Sequence, residues 1–415
     1  MDLGAALAIV RNSAGLTQLE MATLLGWEQS AVARVEGGTR DTLYDVRKLL
    51  VAVDALDMPR EALTPLLLGK PDATIEHTED EMDIDRRQFH GILFGLVAGA
   101  GFDRVQIPRR VDVAHVRYLR ATVDRLYQQD QQVGGAALAR SALRQYHRAR
   151  RMLDEADYST GVGADLMKAA GDLAVCVGWL AFDAGDRNLS RHLYSEALLL
   201  AGEAGDDALS VRVMEKMALQ SVYVAREGRV TVAREAIRLS ERAADLARRD
   251  PTPRLHALIA AREAIGHAML GETRSFNAAI TRAWREIDRS GDDDPVWLQF
   301  VTPAEIHVHE GMGRTHLKDH ATAAELYRDS LTADLPPRNA ANYRSLLAAT
   351  LASEGDATEA VREGMAVLPT LEGRVVSPRT LQDLQPVRIA AEQTGAEEFC
   401  IRYDKLARQI ESLTA

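Results

Sequence analysis

The chain has 415 residues, of which 46% are hydrophobic and 5% aromatic, and its net charge is −11. This length allows two or three domains, and the acidic balance excludes a protein whose whole surface attracts polyanions. Because aromatic residues are few, we expect cores of Ala, Leu and Val, which favour closely packed helices over a sheet.

Cysteine usage and the N-terminal sequence indicate a reducing compartment. Cys176 and Cys400 are the only cysteines, and their number and separation argue against a disulfide framework or a cysteine metal site. The N-terminus has no basic and apolar signal segment, and no stretch reaches the roughly 18 apolar residues of a spanning helix. We therefore expect a cytoplasmic protein without membrane contact.

Two short helices around a tight turn are predicted between Leu16 and Gly38, after a first helix over Leu3 to Asn12. One face of each helix is apolar; the residues are Leu19, Ala22 and Leu25, then Ala31, Val32 and Val35. Gly26 ends the former helix, since glycine readily adopts the left-handed conformation, and Glu28 to Ser30 begin the latter. This is helix-turn-helix geometry, in which the second helix can lie in a DNA major groove.

Residues at spaced positions make this segment similar to the XRE family of Cro-type repressors, over roughly residues 1–66. They are Arg11, Gly15 to Gln18, Gly26, and Val32 to Gly38. The resemblance implies that Arg11 and Gln18 hold phosphates and that Gln29, Ser30 and Arg34 face base edges, with Ala33 close to a base or methyl group. The predicted DNA-binding set is completed by Glu28 and Arg40. The chemistry suits these roles, because Gln pairs bidentately with adenine and Arg with guanine.

The charge of this domain argues for a dimer. Residues 1–70 hold seven Lys or Arg and nine Asp or Glu, whereas neutralisation of phosphates supplies much of the affinity for DNA. A monomer should therefore bind weakly, and we expect a homodimer that reads two half-sites of an inverted repeat in double-stranded DNA. The alternative is a helix-turn-helix that mediates only protein contacts.

An acidic linker is predicted after two further helices, one over Asp41 to Val53 and a short one from Asp57. Residues 71–85 carry seven acidic side chains and no Lys or Arg, so they form an exposed linker or, alternatively, an acidic arm that competes with DNA for a basic surface. Asp85 to Phe89 and the apolar run Gly91 to Phe102 are similar to a twin-arginine export signal. Since they follow a folded domain and are too short to span a membrane, we interpret them as a buried linker helix and a possible dimer contact.

The next two predicted helices run from Val113 to Gln128 and from Ala136 to about Ala156, separated by Gly134 and Gly135. The second helix is strongly basic; its basic residues are Arg140, Arg144, His147, Arg148, Arg150 and Arg151. Two interpretations stay open for them. They form a solvated face, or they bind an anionic partner such as flanking DNA, the acidic linker or an acidic ligand.

From about residue 160 the sequence repeats. Gly185, Gly228 and Gly271 are spaced 43 residues apart and each separates two predicted helices. A large residue follows each glycine by nine positions and a small one by twelve; these are Tyr194, Ile237 and Ile280, then Ala197, Ser240 and Ala283. A large and a small residue on one helical face allow stacked helix pairs to interlock. We predict five or six helix pairs. The later ones are less regular and lie over Gly311 to Leu331, over Ala340 to Leu368 around Gly355, and over Leu381 to Leu413 around Gly395.

This repeat resembles a tetratricopeptide-type solenoid, although the spacing exceeds the usual length of about 34 residues. The predicted fold is therefore all-α, with a helix-turn-helix domain over residues 1–68, a linker over 69–112 and a tetratricopeptide-like superhelix over 113–415. Ligand contacts on its concave face are expected from polar residues of the first helix of each pair. These are Lys168, Asp172, Lys216, Gln220, Tyr223, Arg262 and His267.

Motifs of enzymes are missing from the sequence. Gly161 to Ala164 lacks the third glycine and the preceding strand of a phosphate-binding loop, and no Gly-x-Ser-x-Gly nucleophile motif occurs. The richest histidine stretch contains His307, His309, Glu310, His316 and His320. His316 and His320 stand four apart and could share a helix face, but the His-Glu-x-x-His pattern of a zinc hydrolase is absent. We expect no metal, no cofactor and no enzymatic activity.

The combined arrangement resembles the Rgg/PlcR/PrgX group of peptide-responsive, quorum-sensing regulators and the actinobacterial XRE–tetratricopeptide regulators of development and antibiotic production. The resemblance implies a transcription regulator, more often a repressor than an activator, that binds a peptide or small-molecule effector. The alternative is a non-enzymatic adaptor that uses its helical repeats to dock a partner protein.

Overall fold

The computed structural model of this chain describes residues 29–37, 107–291 and 294–414, and the single positions 8, 11, 18, 21, 22 and 27. The described helices are α1 (Gln29–Glu36), α2 (Val113–Val133), α3 (Ala139–Glu155), α4 (Thr160–Asp183), α5 (Arg187–Ala204), α6 (Asp207–Arg226), α7 (Ala233–Leu246), α8 (Pro253–Met269), α9 (Thr273–Ile287), α10 (Pro303–His316), α11 (His320–Ser330), α12 (Pro337–Glu354), α13 (Ala357–Gly373), α14 (Pro378–Asp383), α15 (Gln385–Thr394) and α16 (Glu397–Thr414). The described residues contain no β-strand, which confirms the all-α prediction. None of the described helices combines the length and the apolar character needed to cross a membrane.

The chain forms two compact units. One contains the described parts of Met1–Val123 together with Arg140–Ala170, and the other contains Asp124–Ala139 and Gly171–Ala415. Helices α2 and α4 each contribute residues to both units. The predicted helices over residues 41–53 and from residue 57, the acidic linker and the apolar run 91–102 lie outside the described residues.

In the first unit, a short backbone bridge and a capped helix precede the basic helix α3. The amide of Val111 donates to the carbonyl of Asp157 at 2.9 Å, and the carboxylate of Asp112 accepts from the amide of Ala114 at 3.0 Å. One face of α3 is buried through Ser141, Ala142, Tyr146, Ala149 and Met152. On the opposite face, Arg151 is exposed and pairs with Glu155 one helical turn away, as expected of a solvated surface.

The second unit is a stack of helix pairs joined by short turns. Helices α6 and α7, α8 and α9, α10 and α11, and α12 and α13 pack as consecutive pairs. The second helix of each pair also packs on the first helix of the next, and α6, α8, α10 and α12 contact one another in succession. Helices α14 to α16 complete the stack against α12 and α13. This arrangement is that of a helical solenoid.

The glycines that mark the repeat lie at the turns between helices. Gly185, Gly228 and Gly271 have φ angles of 87°, 93° and 74°, which are favourable for glycine and strained for other residues. The turn between α10 and α11 instead places Lys318 at a φ of 67°. The turn between α10 and α11 therefore lacks the glycine that marks the three regular turns.

Large side chains interlock with glycines on neighbouring helices. A Cβ atom at Gly178 would lie 2.5 Å from the ring of Tyr194, and one at Gly313 would lie 2.3 Å from the ring of Phe276. The small residues predicted at the same faces, Ala197, Ser240 and Ala283, are all buried. The predicted pairing of large and small residues is thus part of the core, but the glycines that receive the rings were not predicted.

The first and last helix pairs of the second unit are joined by a set of contacts that we call the clasp, formed by Asp183, Gly135, Ser377 and Arg379. The carboxylate of Asp183 accepts hydrogen bonds from the Gly135 amide at 2.8 Å, the Ser377 hydroxyl at 2.9 Å and the Arg379 Nε at 3.0 Å. These contacts connect α4 with the segment that begins α14, and the sequence pattern did not predict them.

Candidate functional site

Helix α1 has one buried and one exposed face. Val32 and Val35 are buried, as are Met21 and Ala22, which precede the turn at Trp27. Ser30, Ala33 and Arg34 are exposed on the other face. The Nη2 of Arg34 donates to the Ser30 hydroxyl at 3.3 Å. The exposed residues of this helix carry donors and acceptors that can reach base edges in a major groove.

Glu36, the last residue of α1, holds two of the residues predicted to contact phosphates. Its carboxylate accepts from the Arg11 guanidinium at 2.7 and 3.1 Å and from the Gln18 amide at 3.0 Å. The side chains of Arg11 and Glu36 are only 15% and 7% exposed. Arg11 and Gln18 therefore fix the end of α1 in this structure, and their phosphate contacts stay a prediction. Glu28 and Arg40 lie outside the described residues.

The second unit encloses a cavity of about 620 Å³, a size typical of sites for small ligands. Its wall is formed by helices α2, α4, α6, α8, α10, α12 and α14 and by the segments 297–304 and 333–336. The charged side chains of the wall are Lys216, Arg262, Arg338, Arg379, Asp124, Asp130, Glu305 and Asp334, and His309 is also part of the wall. Its aromatic side chains are Tyr127, Trp179, Tyr223, Trp297, Phe300 and Tyr343.

Three cations converge on the indole ring of Trp179. The Nζ of Lys216 lies 5.1 Å from the ring centroid, and the Cζ atoms of Arg338 and Arg379 lie 5.0 and 5.4 Å from it. The indole Nε1 donates to Asp130 at 2.9 Å. A ring face attracts cations through its quadrupole, so Trp179 helps to hold three like charges at one place in the wall.

The four cations of the wall pair with carboxylates. Arg338 pairs with Asp130 at 2.6 Å and Arg379 with Asp183 at 3.0 Å. Lys216 and Arg262 share Glu215, at 2.8 and 3.7 Å. The wall carries three further carboxylates, on Asp124, Glu305 and Asp334, so its positive charge is concentrated at Trp179 and not spread over the cavity.

Several polar atoms of the wall are left without a hydrogen bond. The Nε atoms of Arg262 and Arg338 and the Nη2 of Arg379 have no hydrogen-bond acceptor among the described residues, and the Oδ1 atoms of Asp130 and Asn339 have no donor there. The Nη2 of Arg379 lies 3.0 Å from Asp183, but this contact is an ion pair without hydrogen-bond alignment. Arg262 and Arg379 are 3% and 5% exposed. Buried polar groups are normally satisfied, so these atoms form an incompletely satisfied polar cluster in the residues that line the cavity.

A second group of polar side chains lies around His309. Arg262 donates to the Nε2 of His309, and the Nδ1 of His309 donates to the Glu305 carbonyl at 2.7 Å. Burial, and then the charge of Arg262, lower the pKa of His309 to about 4, so this imidazole is neutral at pH 7. The Tyr343 hydroxyl donates to the Glu305 carboxylate.

Of the seven residues predicted to contact a ligand, the structure brings Lys216, Tyr223 and Arg262 together in the cavity wall. The others have positions elsewhere: Asp172 pairs with Arg212 at 2.5 Å, the Gln220 amide donates to the Arg187 carbonyl at 3.0 Å, His267 lies 2.6 Å from Glu272, and Lys168 belongs to the first unit. These four residues do not line the cavity.

Wall residues contributed by the later helices were missed. Glu305, Arg338, Tyr343 and Arg379 lie on α10, α12 and α14, beyond the last regular glycine. Extending the first-helix rule to the irregular repeats would have indicated them, as polar residues on otherwise apolar helices. The predicted common helix face of His316 and His320 is wrong, because His316 ends α10 and His320 begins α11.

Comparison with known proteins gives a partial match. Residues 2–63 match a protein family described as a helix-turn-helix domain, in agreement with the geometry of α1 and the residues before it. No curated protein matches the chain. The N-terminal domain is therefore a helix-turn-helix domain, which supports a DNA-binding regulator, and the cavity lies outside the matched segment.

Proposed function

We propose that this chain is a sequence-specific transcription regulator, a repressor in preference to an activator, that binds an inverted repeat in double-stranded DNA as a homodimer. In this proposal, the cavity of the second unit binds a peptide or small-molecule effector. The protein acts by binding alone, without a cofactor or a catalysed reaction. This role implies that the protein is located in the cytoplasm.

The exposed face of α1 supports the DNA-reading role. Arg34 can pair bidentately with guanine, Gln29 stands at the start of the helix, and Ala33 leaves space for a base or a methyl group. Glu36 orients the end of α1 through Arg11 and Gln18. A reading helix held in this way presents its base-contacting residues at a fixed angle to the groove.

The cavity carries the sensing half of the proposal. Its wall contains residues from the first helices of successive pairs and from α2 and α14. A ligand in the cavity would therefore contact several helix pairs at once. A ligand that binds one arrangement of these helices better than another shifts the population towards it. DNA affinity then changes by the difference between the two ligand affinities.

Selection from a random duplex library at near-physiological salt tests the DNA-binding half. We expect an enriched inverted repeat whose spacing gives the distance between the two reading helices. Gln29→Ala and Arg34→Ala should each relax the preference at one position of the half-site by about 1–3 kcal/mol. Arg248→Ala, on an exposed ion pair with Asp245, is the control and should leave the selected sequence unchanged.

A protein-interaction adaptor is the second candidate, favoured by the acidic balance of residues 1–70, which hold seven basic and nine acidic side chains. An adaptor would enrich no sequence from the library, with or without added cell extract. Neither substitution in α1 would then alter the binding of nucleic acid.

A further inference from the structure

We propose that the cavity binds a small organic anion, whose carboxylate or phosphate group is held by Lys216, Arg338 and Arg379 beside Trp179. The remainder of the ligand is an apolar or aromatic body that fills the rest of the cavity. That this anion is the effector rests on the proposed function, whereas its binding does not depend on DNA.

The cluster of three cations at Trp179 points to an anion. The charged groups of Lys216, Arg338 and Arg379 all lie within 5.4 Å of one ring centroid. Like charges held close together in a region of low dielectric constant repel one another. An anionic group beside Trp179 would be attracted by all three of them.

The two guanidinium groups beside Trp179 point to a group with several oxygen atoms. The Nε of Arg338 and the Nη2 of Arg379 have no hydrogen-bond acceptor among the described residues. The planar guanidinium matches the geometry of carboxylate and phosphate oxygens, and such charge-assisted bonds are stronger than neutral ones. Lys216 adds a flexible ammonium donor that lies between Trp179 and Phe300, 5.1 and 5.2 Å from their centroids.

The rest of the wall indicates the size and polarity of the remainder of the ligand. Apolar side chains surround much of the space; they are Leu219, Val308, Met312 and Leu346. Aromatic rings provide stacking surfaces on several sides. At the group around His309, the Glu305 carboxylate disfavours a second anionic group. The cavity therefore fits a molecule with one anionic end and a body much larger than an inorganic ion.

The test uses four fluorinated probes of nearly equal shape with the full-length protein. They are 4-fluorophenylacetate, 4-fluorophenyl phosphate, 4-fluorophenethylamine and 2-(4-fluorophenyl)ethanol. Broadening of the fluorine NMR signal reports binding at millimolar concentration. We expect the protein to broaden the signal of one or both anions, and the anion with the larger broadening identifies the bound group as carboxylate or phosphate. The signals of the amine and the alcohol should remain sharp.

Variants assign the binding to the cavity. Lys216→Met keeps the length of the side chain and should weaken anion binding by at least about tenfold, as expected for the loss of one charge-assisted bond. Lys216→Arg restores the charge and should restore binding. Arg248→Met, at an exposed position, should behave as wild type. If Lys216→Met loses its helical circular dichroism, Arg338→Lys is used instead. This variant keeps the positive charge but loses the bidentate guanidinium group, and it should likewise weaken anion binding.

The proposal is overturned if neither anion is broadened, if the amine or alcohol binds as well as the anions, or if Lys216→Met binds like wild type. Failure of the proposed function looks different. If anions bind but the selected DNA is retained equally with and without them, the anion site stands and its role as a sensor is lost. If an inverted repeat is selected but no anion binds, DNA binding stands and this inference fails.

Discussion

The clasp makes a strong prediction about stability, because one buried carboxylate connects three segments that are distant in sequence. Asp183 is fully buried and accepts from Gly135, Ser377 and Arg379. Replacing Asp183 with Asn keeps the shape but removes the charge. The Arg379 guanidinium then stays buried beside a neutral amide, whose NH2 group has to face one of the donors that the carboxylate accepted from. The hydrogen bond from Arg379 to the Tyr223 hydroxyl, at 2.9 Å, remains.

The expected loss follows from the burial of this pair. Removal of one member of a buried ion pair typically costs about 3–5 kcal/mol, because the remaining charge has no partner. The exposed pair of Arg248 and Asp245, with side chains 76% and 58% exposed, should contribute less than about 1 kcal/mol. Asp183→Asn should therefore lower the unfolding free energy of the second unit several times more than Arg248→Ala.

Urea denaturation followed by circular dichroism measures both effects. Arg379→Met should cost a similar amount to Asp183→Asn, and the double variant should cost clearly less than the sum of the two, since the charges are lost together. The reasoning would be refuted if Asp183→Asn stayed within about 1 kcal/mol of wild type, or if the two losses simply added.

The same variant has a pH signature. Burial acts to raise the pKa of Asp183, but Arg379, Arg338, the Gly135 amide and the Ser377 hydroxyl outweigh it, so the pKa is lowered. A depressed carboxyl pKa contributes stability at neutral pH that is lost as the pH falls through the folded-state value. The difference between wild type and Asp183→Asn should therefore shrink below about pH 4.

Two further predictions concern the core and the second polar group. Gly178→Ala places a Cβ atom 2.5 Å from the Tyr194 ring and should lower the free energy of unfolding by about 1–3 kcal/mol. A Cβ atom at Gly202 would have no atom of the described residues within 4 Å, so Gly202→Ala should raise the free energy of unfolding by up to about 1 kcal/mol. Equal effects in urea denaturation would contradict the argument that the Tyr194 ring packs against Gly178. Because the pKa of His309 is lowered from 6.5 to about 4, the unfolded chain binds an extra proton between these values, and stability should fall with decreasing pH by up to about 1.4 kcal/mol per pH unit. His309→Gln should flatten this slope in urea denaturation between pH 7 and pH 4.5, and an unchanged slope would assign the proton to another group.

Local structure could be predicted from the sequence where a local signal determines it. Helix α1 begins at Gln29 and ends at Glu36, next to the residues expected to start and stop it. The turns at Gly185, Gly228 and Gly271 were likewise predicted, from the regular spacing of these glycines, and all three have positive φ angles. Lys318 escaped notice because its strained conformation has no signature in the sequence.

The clasp and half of the cavity could not be predicted, because they depend on contacts between distant residues. Asp183 and Arg379 are separated by 196 positions, and no periodicity relates them. Arg379 follows Ser377 and Pro378, a pattern that predicts a helix start but not the partner of its side chain. The same holds for Arg338 and Asp130, on α12 and α2.

The clasp and the cavity share Arg379, so a ligand in the cavity can act on the contacts of the clasp. The same guanidinium donates to Asp183 and to the Tyr223 hydroxyl and lines the cavity. An anion that draws on this guanidinium acts on the contact between the first and last helix pairs. Coupling free energies between binding sites are typically about 1–3 kcal/mol, which is no more than one charge-assisted hydrogen bond contributes. Under the proposed function, a change in a single bond of the clasp is therefore large enough to account for a coupling of this size.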